Sequence, residues 1–239
     1  MLMPTLATVL ASAVAAATAT PQGDRLQAGT SCYDITMTKG GQTQVIGHTF
    51  QSLEWVKRDG KPALQVVVHQ RMGDKFDMRD TFVLDGATLR PIELNNTRFG
   101  KPHVRDVYTD GKVDETKWDE QGKETTVEKP LAKPVWEGNL FGVMFAALPL
   151  KAGDRYSIPF YQYDKGEGAF SIEVTATREV DTPTGKREAI VLQAGPSESE
   201  RVEYLVGADP RIELGYASEK MGFAQELAPT CTAFDAATK

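Results

Sequence analysis

From residue 30 onward the chain is punctuated about every 10 to 15 residues by turn-forming pairs: Gly40-Gly41, Asp59-Gly60, Gly73-Asp74, Asp85-Gly86, Asp110-Gly111, Gln121-Gly122, Gly166-Glu167-Gly168 and Thr184-Gly185. Glycine and Asp-Gly supply the positive φ angles that tight hairpins need, so this spacing specifies antiparallel strands joined in sequence order. The segments between the turns alternate. Phe170, Ile172, Val174 and Ala176 fall on one face, with Ser171, Glu173, Thr175 and Thr177 on the other. The same period runs through Tyr156, Ile158 and Phe160, through Leu64, Val66 and Val68, and through Val202, Tyr204 and Val206. Alternation repeated over so many segments means sheets with one buried face.

One stretch departs from that period. Leu140 to Leu148 is a continuous apolar run with Asn139 placed to cap it and Pro149 to stop it, which predicts a short helix. A helix apolar on nearly every side must be covered all round, and the concave face of a curved sheet provides the cover. Pro130 to Pro134 reads as the extended connection into it. The expected architecture is mostly β: a curved antiparallel sheet, a half-barrel of about ten to twelve strands, wrapped around one apolar helix. The chain shows no internal repeat or linker after its leader, so residues 20–239 are expected to form one domain.

The leader itself, Met1 to Ala19, is uncharged and alanine-rich, with an apolar core from Leu6 to Ala17 and a small-x-small cleavage pattern at Ala17-Thr18-Ala19. This is a signal peptide pattern over residues 1–19, although its n-region lacks Lys and Arg; a displaced start codon and an uncleaved apolar tail are the two accounts of that lack. No cysteine ends the leader, which disfavours a lipid anchor there. No later stretch offers the roughly 20 apolar residues of a spanning helix, so the chain is not expected to span a membrane after cleavage. An exported chain meets oxidising conditions. Its two cysteines, Cys32 and Cys231, are too far apart in sequence for an ordinary metal or redox motif and are expected to form a structural disulfide, with two free buried thiols as the alternative. Closing so long a loop is worth on the order of 5 kcal/mol, and it requires the first and last strands to be neighbours. The net charge of −6 argues against nucleic acid as a partner.

Chemistry is thinly represented. His48, His69 and His103 are the histidines available to a triad or a metal site; no Gly-x-Ser-x-Gly elbow and no phosphate-binding loop accompanies them. No cofactor and no metal is implied. Asp74, Asp77, Asp80 and Asp85 are interleaved with Arg71, Lys75 and Arg79 and are expected on a solvated outer face, with a carboxylate pair Asp77 and Asp80 acting on carbohydrate as the rival. The acidic turn at Asp110, Asp114 and Glu115 lacks calcium-loop spacing. Trp55, Trp118 and Trp136 are scattered, as core or rim residues would be. The best candidate for function is the inside of the sheet: Phe160, Phe170, Ile172 and Val174, with Leu140, Phe141, Met144 and Phe145 from the helix, either fill the interior or line a groove for a ligand. Met144 is the adaptable residue suited to an acyl chain.

Several of these stretches resemble the bacterial DUF3108-like envelope proteins: Phe82-Val83-Leu84-Asp85-Gly86-Ala87-Thr88-Leu89-Arg90-Pro91, Ala147-Leu148-Pro149-Leu150-Lys151-Ala152-Gly153-Asp154, Thr182-Pro183-Thr184-Gly185-Lys186 with Glu188-Ala189, and Tyr204-Leu205-Val206 with Asp209-Pro210-Arg211. The resemblance covers about residues 75 to 225 and is carried by turn and strand patterns. It implies export to a Gram-negative periplasm and a fold related to half-barrel lipoprotein carriers, and it transfers no catalytic residue. The function expected on these grounds is binding of a hydrophobic small molecule, a lipid or an acyl group, between sheet and helix without catalysis. The alternatives are an envelope assembly factor that contacts another envelope protein, for instance by strand addition, and a carbohydrate-active enzyme.

Overall fold

The computed structural model describes residues 17–18 and 20–234. The predicted signal peptide therefore lies outside the described residues, apart from the backbone of Ala17–Thr18. Left-handed backbone falls at nearly every turn predicted from the sequence, Gly40, Gly60, Gly73, Gly111, Gly122, Gly166 and Gly185 among them. Asp85-Gly86 is the exception. There the Asp85 carboxylate accepts hydrogen bonds from the Ala87 and Thr88 amides and the Thr88 hydroxyl, and Leu89 carries the positive φ. Gly86 serves close packing instead, since a Cβ there would lie 2.8 Å from the Pro62 carbonyl oxygen.

The strands form two meanders. The first runs β2 (Gly29–Lys39), β3 (Gln42–Arg58), β4 (Lys61–Met72), β5 (Phe76–Asp85), β6 (Pro91–Arg98), β7 (Lys101–Thr109), β8 (Lys112–Trp118) and β9 (Glu124–Pro130); the second runs β11 (Arg155–Gln162), β12 (Gly166–Thr182), β13 (Gly185–Gly195), β14 (Val202–Gly207), β15 (Glu213–Ser218) and β16 (Phe223–Leu227). Two short strands, β1 (Ala17–Thr18) and β10 (Trp136–Glu137), add in parallel to β11. Antiparallel pairing of β16 with β2, from Phe223 opposite Met37 to Leu227 opposite Tyr33, fuses the meanders into one 16-stranded sheet. That is more than the ten to twelve expected. The two-residue strands carry no period of their own, and the β6–β7 hairpin turns at Phe99-Gly100, which contains none of the dipeptides that mark two-residue turns.

The sheet is open and curved, with β9 at one margin and β11 with its short partners at the other. Side chains rather than ladder bonds bridge the margins: Tyr161 donates to Glu115 at 2.6 Å, Lys117 to the Tyr163 carbonyl at 3.2 Å, and Tyr108 to Glu137 at 2.8 Å. Trp136 is locked there, its indole N–H bonded to the Thr88 carbonyl and the Arg90 guanidinium stacked 3.4 Å over its ring.

The helix α1 is Phe141–Ala146, six residues rather than the nine of the apolar run. Asn139 does not cap it; its amide donates to Glu137 and accepts from Gln162, leaving Leu140 as the N-cap. The inward face alternates as predicted, with Leu64, Val66, Phe82, Leu84, Ile172, Val174 and Leu192 packed against Met144, Phe145 and Leu148 in one core. A second, small cluster lies on the outer face. Phe234 covers Phe50 and the His69 ring, 5.9 and 5.0 Å between centroids, where the Cys32–Cys231 disulfide ties the C-terminal segment beside β2.

Candidate functional site

The interior candidates divide into two groups. Met144, Phe145, Ile172 and Val174 are fully buried in the core and line neither of the cavities that the other candidates border. Phe141, Phe160 and Phe170 come together as an aromatic cluster, Phe141 lying 3.7 Å from Phe170 and 5.6 Å from Phe160 between centroids, and they form the floor of a cavity of about 370 Å³ at one end of the sheet. Val202 and Met221 extend its apolar wall. Lys165, Arg201 and Lys220 stand at its rim, with one carboxylate, Glu200, among them. Arg201 is tied to Glu173, Glu198 and Ser171, whereas Lys165 and Lys220 are exposed and form no ion pair among the described residues. Met221 is 62% exposed, which leaves the apolar wall open to solvent. Alternation fixes which strand residues face inward, but it does not reveal the Lys220-Met221 turn, which comes from another part of the chain.

Leu140 and Phe141 also border a second cavity of about 350 Å³ over the middle of the concave face. Its lining is polar, with Thr49 and Gln51 from β3, Gln70 from β4 and Gln225 from β16. Asn139 and Gln162 lie where the helix segment meets β11. Two carboxyls belong to it. Asp80, expected on a solvated face, points inward on β5 with Phe82 and Leu84 and is buried against Asn96, which donates at 2.5 Å. Glu213, at the start of β15, packs against Gly142 so closely that a Cβ there would lie 2.1 Å from its Oε2. Burial pushes each up to about 7; for Asp80 the Asn96 bond and Arg98 oppose the rise, and for Glu213 burial acts alone.

Asp77 lies on the opposite face of β5 from Asp80, where His69 and Arg71 contact its carboxylate at 2.9 and 3.1 Å. The two acids therefore do not form a catalytic pair. The histidines stay in separate strands, His48 bonded to Asp34 and His103 edge-on to Tyr163. Among the described residues no group of His, Cys, Asp and Glu is arranged to hold a metal ion. Trp55 is 40% exposed and Trp136 buried, so neither lines either cavity.

Residues 32–221 match the family described as "Protein of unknown function (DUF3108)". No curated protein matches the sequence. Among solved structures, a beta-barrel-like protein of domain of unknown function DUF1849 from Brucella abortus is similar to 89% of this chain over 98% of its own, at 13% identity and a TM-score of 0.49.

Proposed function

We propose, from the premise that the chain belongs to the DUF3108 family, that it is a periplasmic binding protein of a Gram-negative envelope that shelters an acyl-chain ligand with an anionic head. The carrying observation is the aromatic floor of Phe141, Phe160 and Phe170 beneath a rim holding Lys165 and Lys220. Each buried methylene contributes about 0.8 kcal/mol before the cost of ordering the ligand, and the exposed lysines favour a carboxylate or phosphate at the mouth. A cavity of about 370 Å³ lies at the small end of ligand sites and suits one chain rather than several. The leader at residues 1–19 and the disulfide support the compartment, since disulfides persist where conditions oxidise.

Displacement of a fluorescent fatty acid tests the reading. The double variant K165E/K220E is expected to lose at least tenfold in affinity for a fatty acid and little for the matching fatty alcohol. Equal loss for both, or no binding by the wild type, contradicts it. One observation favours a second reading, an assembly factor that acts by strand addition: among the described residues β9 leaves one edge unpaired, with Val127 half-exposed on it. Glu124, Glu128 and Lys129 along the same strand are the charges that normally discourage such pairing.

A further inference from the structure

The polar cavity has no place in an acyl-chain site, and its chemistry points elsewhere. Among the described residues that line it there is no Lys, Arg or His, while Asp80 and Glu213 are both there and both more than nine-tenths buried. No side chain among the described residues donates a hydrogen bond to the Glu213 carboxyl, whose perturbation comes from burial alone. The amides of Gln51, Gln70 and Gln162 each commit one of their two N–H donors, to Tyr33 Oη, Thr49 Oγ1 and Asn139 Oδ1, while their carbonyl oxygens receive no side-chain hydrogen bond among the described residues and are free to accept. Phe141, Tyr204 and Tyr216 add aromatic rings to the wall. A desolvated carboxyl without a donor, carbonyl acceptors and aromatic rings together make the environment that stabilises a cation.

We infer that this cavity binds a protonated primary amine carried by a small polar group, with Glu213 as its counter-ion, Asp80 as a second negative charge and the glutamine carbonyls accepting its N–H donors. The carbonyl acceptors select an ammonium with hydrogens over a quaternary one, which could use only the rings and the charge. Burial raises both carboxyls to about 7, and a cation placed between them opposes that rise, since an opposite charge nearby favours the ionised form. Gly142 is part of the design, because any side chain there would displace the Glu213 carboxyl.

Two sources carry such an amine, an amino sugar and the head of an aminophospholipid. The inference stands apart from the acyl-chain reading, because the sugar has no chain to place in the other cavity. The test is calorimetric titration of the full chain at pH 7 with two matched pairs: glucosamine against N-acetylglucosamine, and dihexanoyl phosphatidylethanolamine against dihexanoyl phosphatidylcholine. The expected result is at least a tenfold preference for the free primary amine in one pair or both, the responding pair identifying the source. Glu213→Gln should abolish the preference while thermal denaturation reports a folded protein, and Asp80→Asn should reduce it. Equal binding within both pairs, no binding by any of the four, or a preference that survives in Glu213→Gln overturns the inference.

Discussion

Asp106 shows how much a single parity choice costs. It sits on β7 with no exposure, and among the described residues neither carboxyl oxygen has a hydrogen-bond partner; burial, aided by Glu115 nearby, pushes it up to about 7. Below about pH 4 it is protonated in folded and unfolded chains alike. As pH rises toward 7 the unfolded chain ionises while the folded one resists, so stability falls across that window by on the order of 4 kcal/mol. Asp106→Asn is accordingly expected to raise the urea midpoint by the equivalent of a few kcal/mol at pH 8 and to change it little near pH 4. An equal effect at both would remove the linkage. The same parity was readable for Asp80, which shares its face with Phe82 and Leu84. Grouping it with Asp77 and Asp85 by charge alone put it on the wrong side of the strand.

At the level of elements, the junction of β16 with β2 joins the two meanders, and Cys32–Cys231 lies beside it with Cα atoms 5.3 Å apart. The neighbouring of first and last long strands was legible from the cysteines, because a bridge across 199 residues can only form that way. Removing it in Cys32→Ser/Cys231→Ser is expected to lower unfolding free energy by about 2–5 kcal/mol. Fast hydrogen exchange should then appear first in β16 and the segment carrying Phe234, whose contacts with Phe50 and His69 depend on the tether. Exchange unchanged in β16 would show that its ladder alone secures it. The helix was legible as an apolar run but not in length, since Asn139 bonds Glu137 and Gln162 instead of capping α1. The two cavities were not legible: each combines residues from five or more separate parts of the chain.

For the whole molecule, two sets of carboxyls oppose each other. Asp77, Asp85, Glu93 and Glu115 are held below the ordinary range; burial opposes this, but side-chain hydrogen bonds at Asp77, Glu93 and Glu115, and backbone bonds first at Asp85, outweigh it. Their contribution is present above about pH 4 and lost as pH falls further. Asp80, Asp106 and Glu213 are raised to about 7 and Glu137 to about 8 by burial, and their cost grows as pH rises toward those values. Thermal stability should therefore peak near pH 5 and fall toward pH 8; a flat profile, or a maximum at pH 8, would contradict this balance. The central claim is that the open end of this sheet carries a ligand, with Phe141 bordering both the apolar and the polar cavity. Native mass spectrometry of protein purified from a bacterial periplasm without detergent tests it most directly. The account predicts a stoichiometric lipid-sized adduct that disappears on denaturation and is reduced in K165E/K220E, whereas a clean apo mass that persists after incubation with membrane lipids would contradict it.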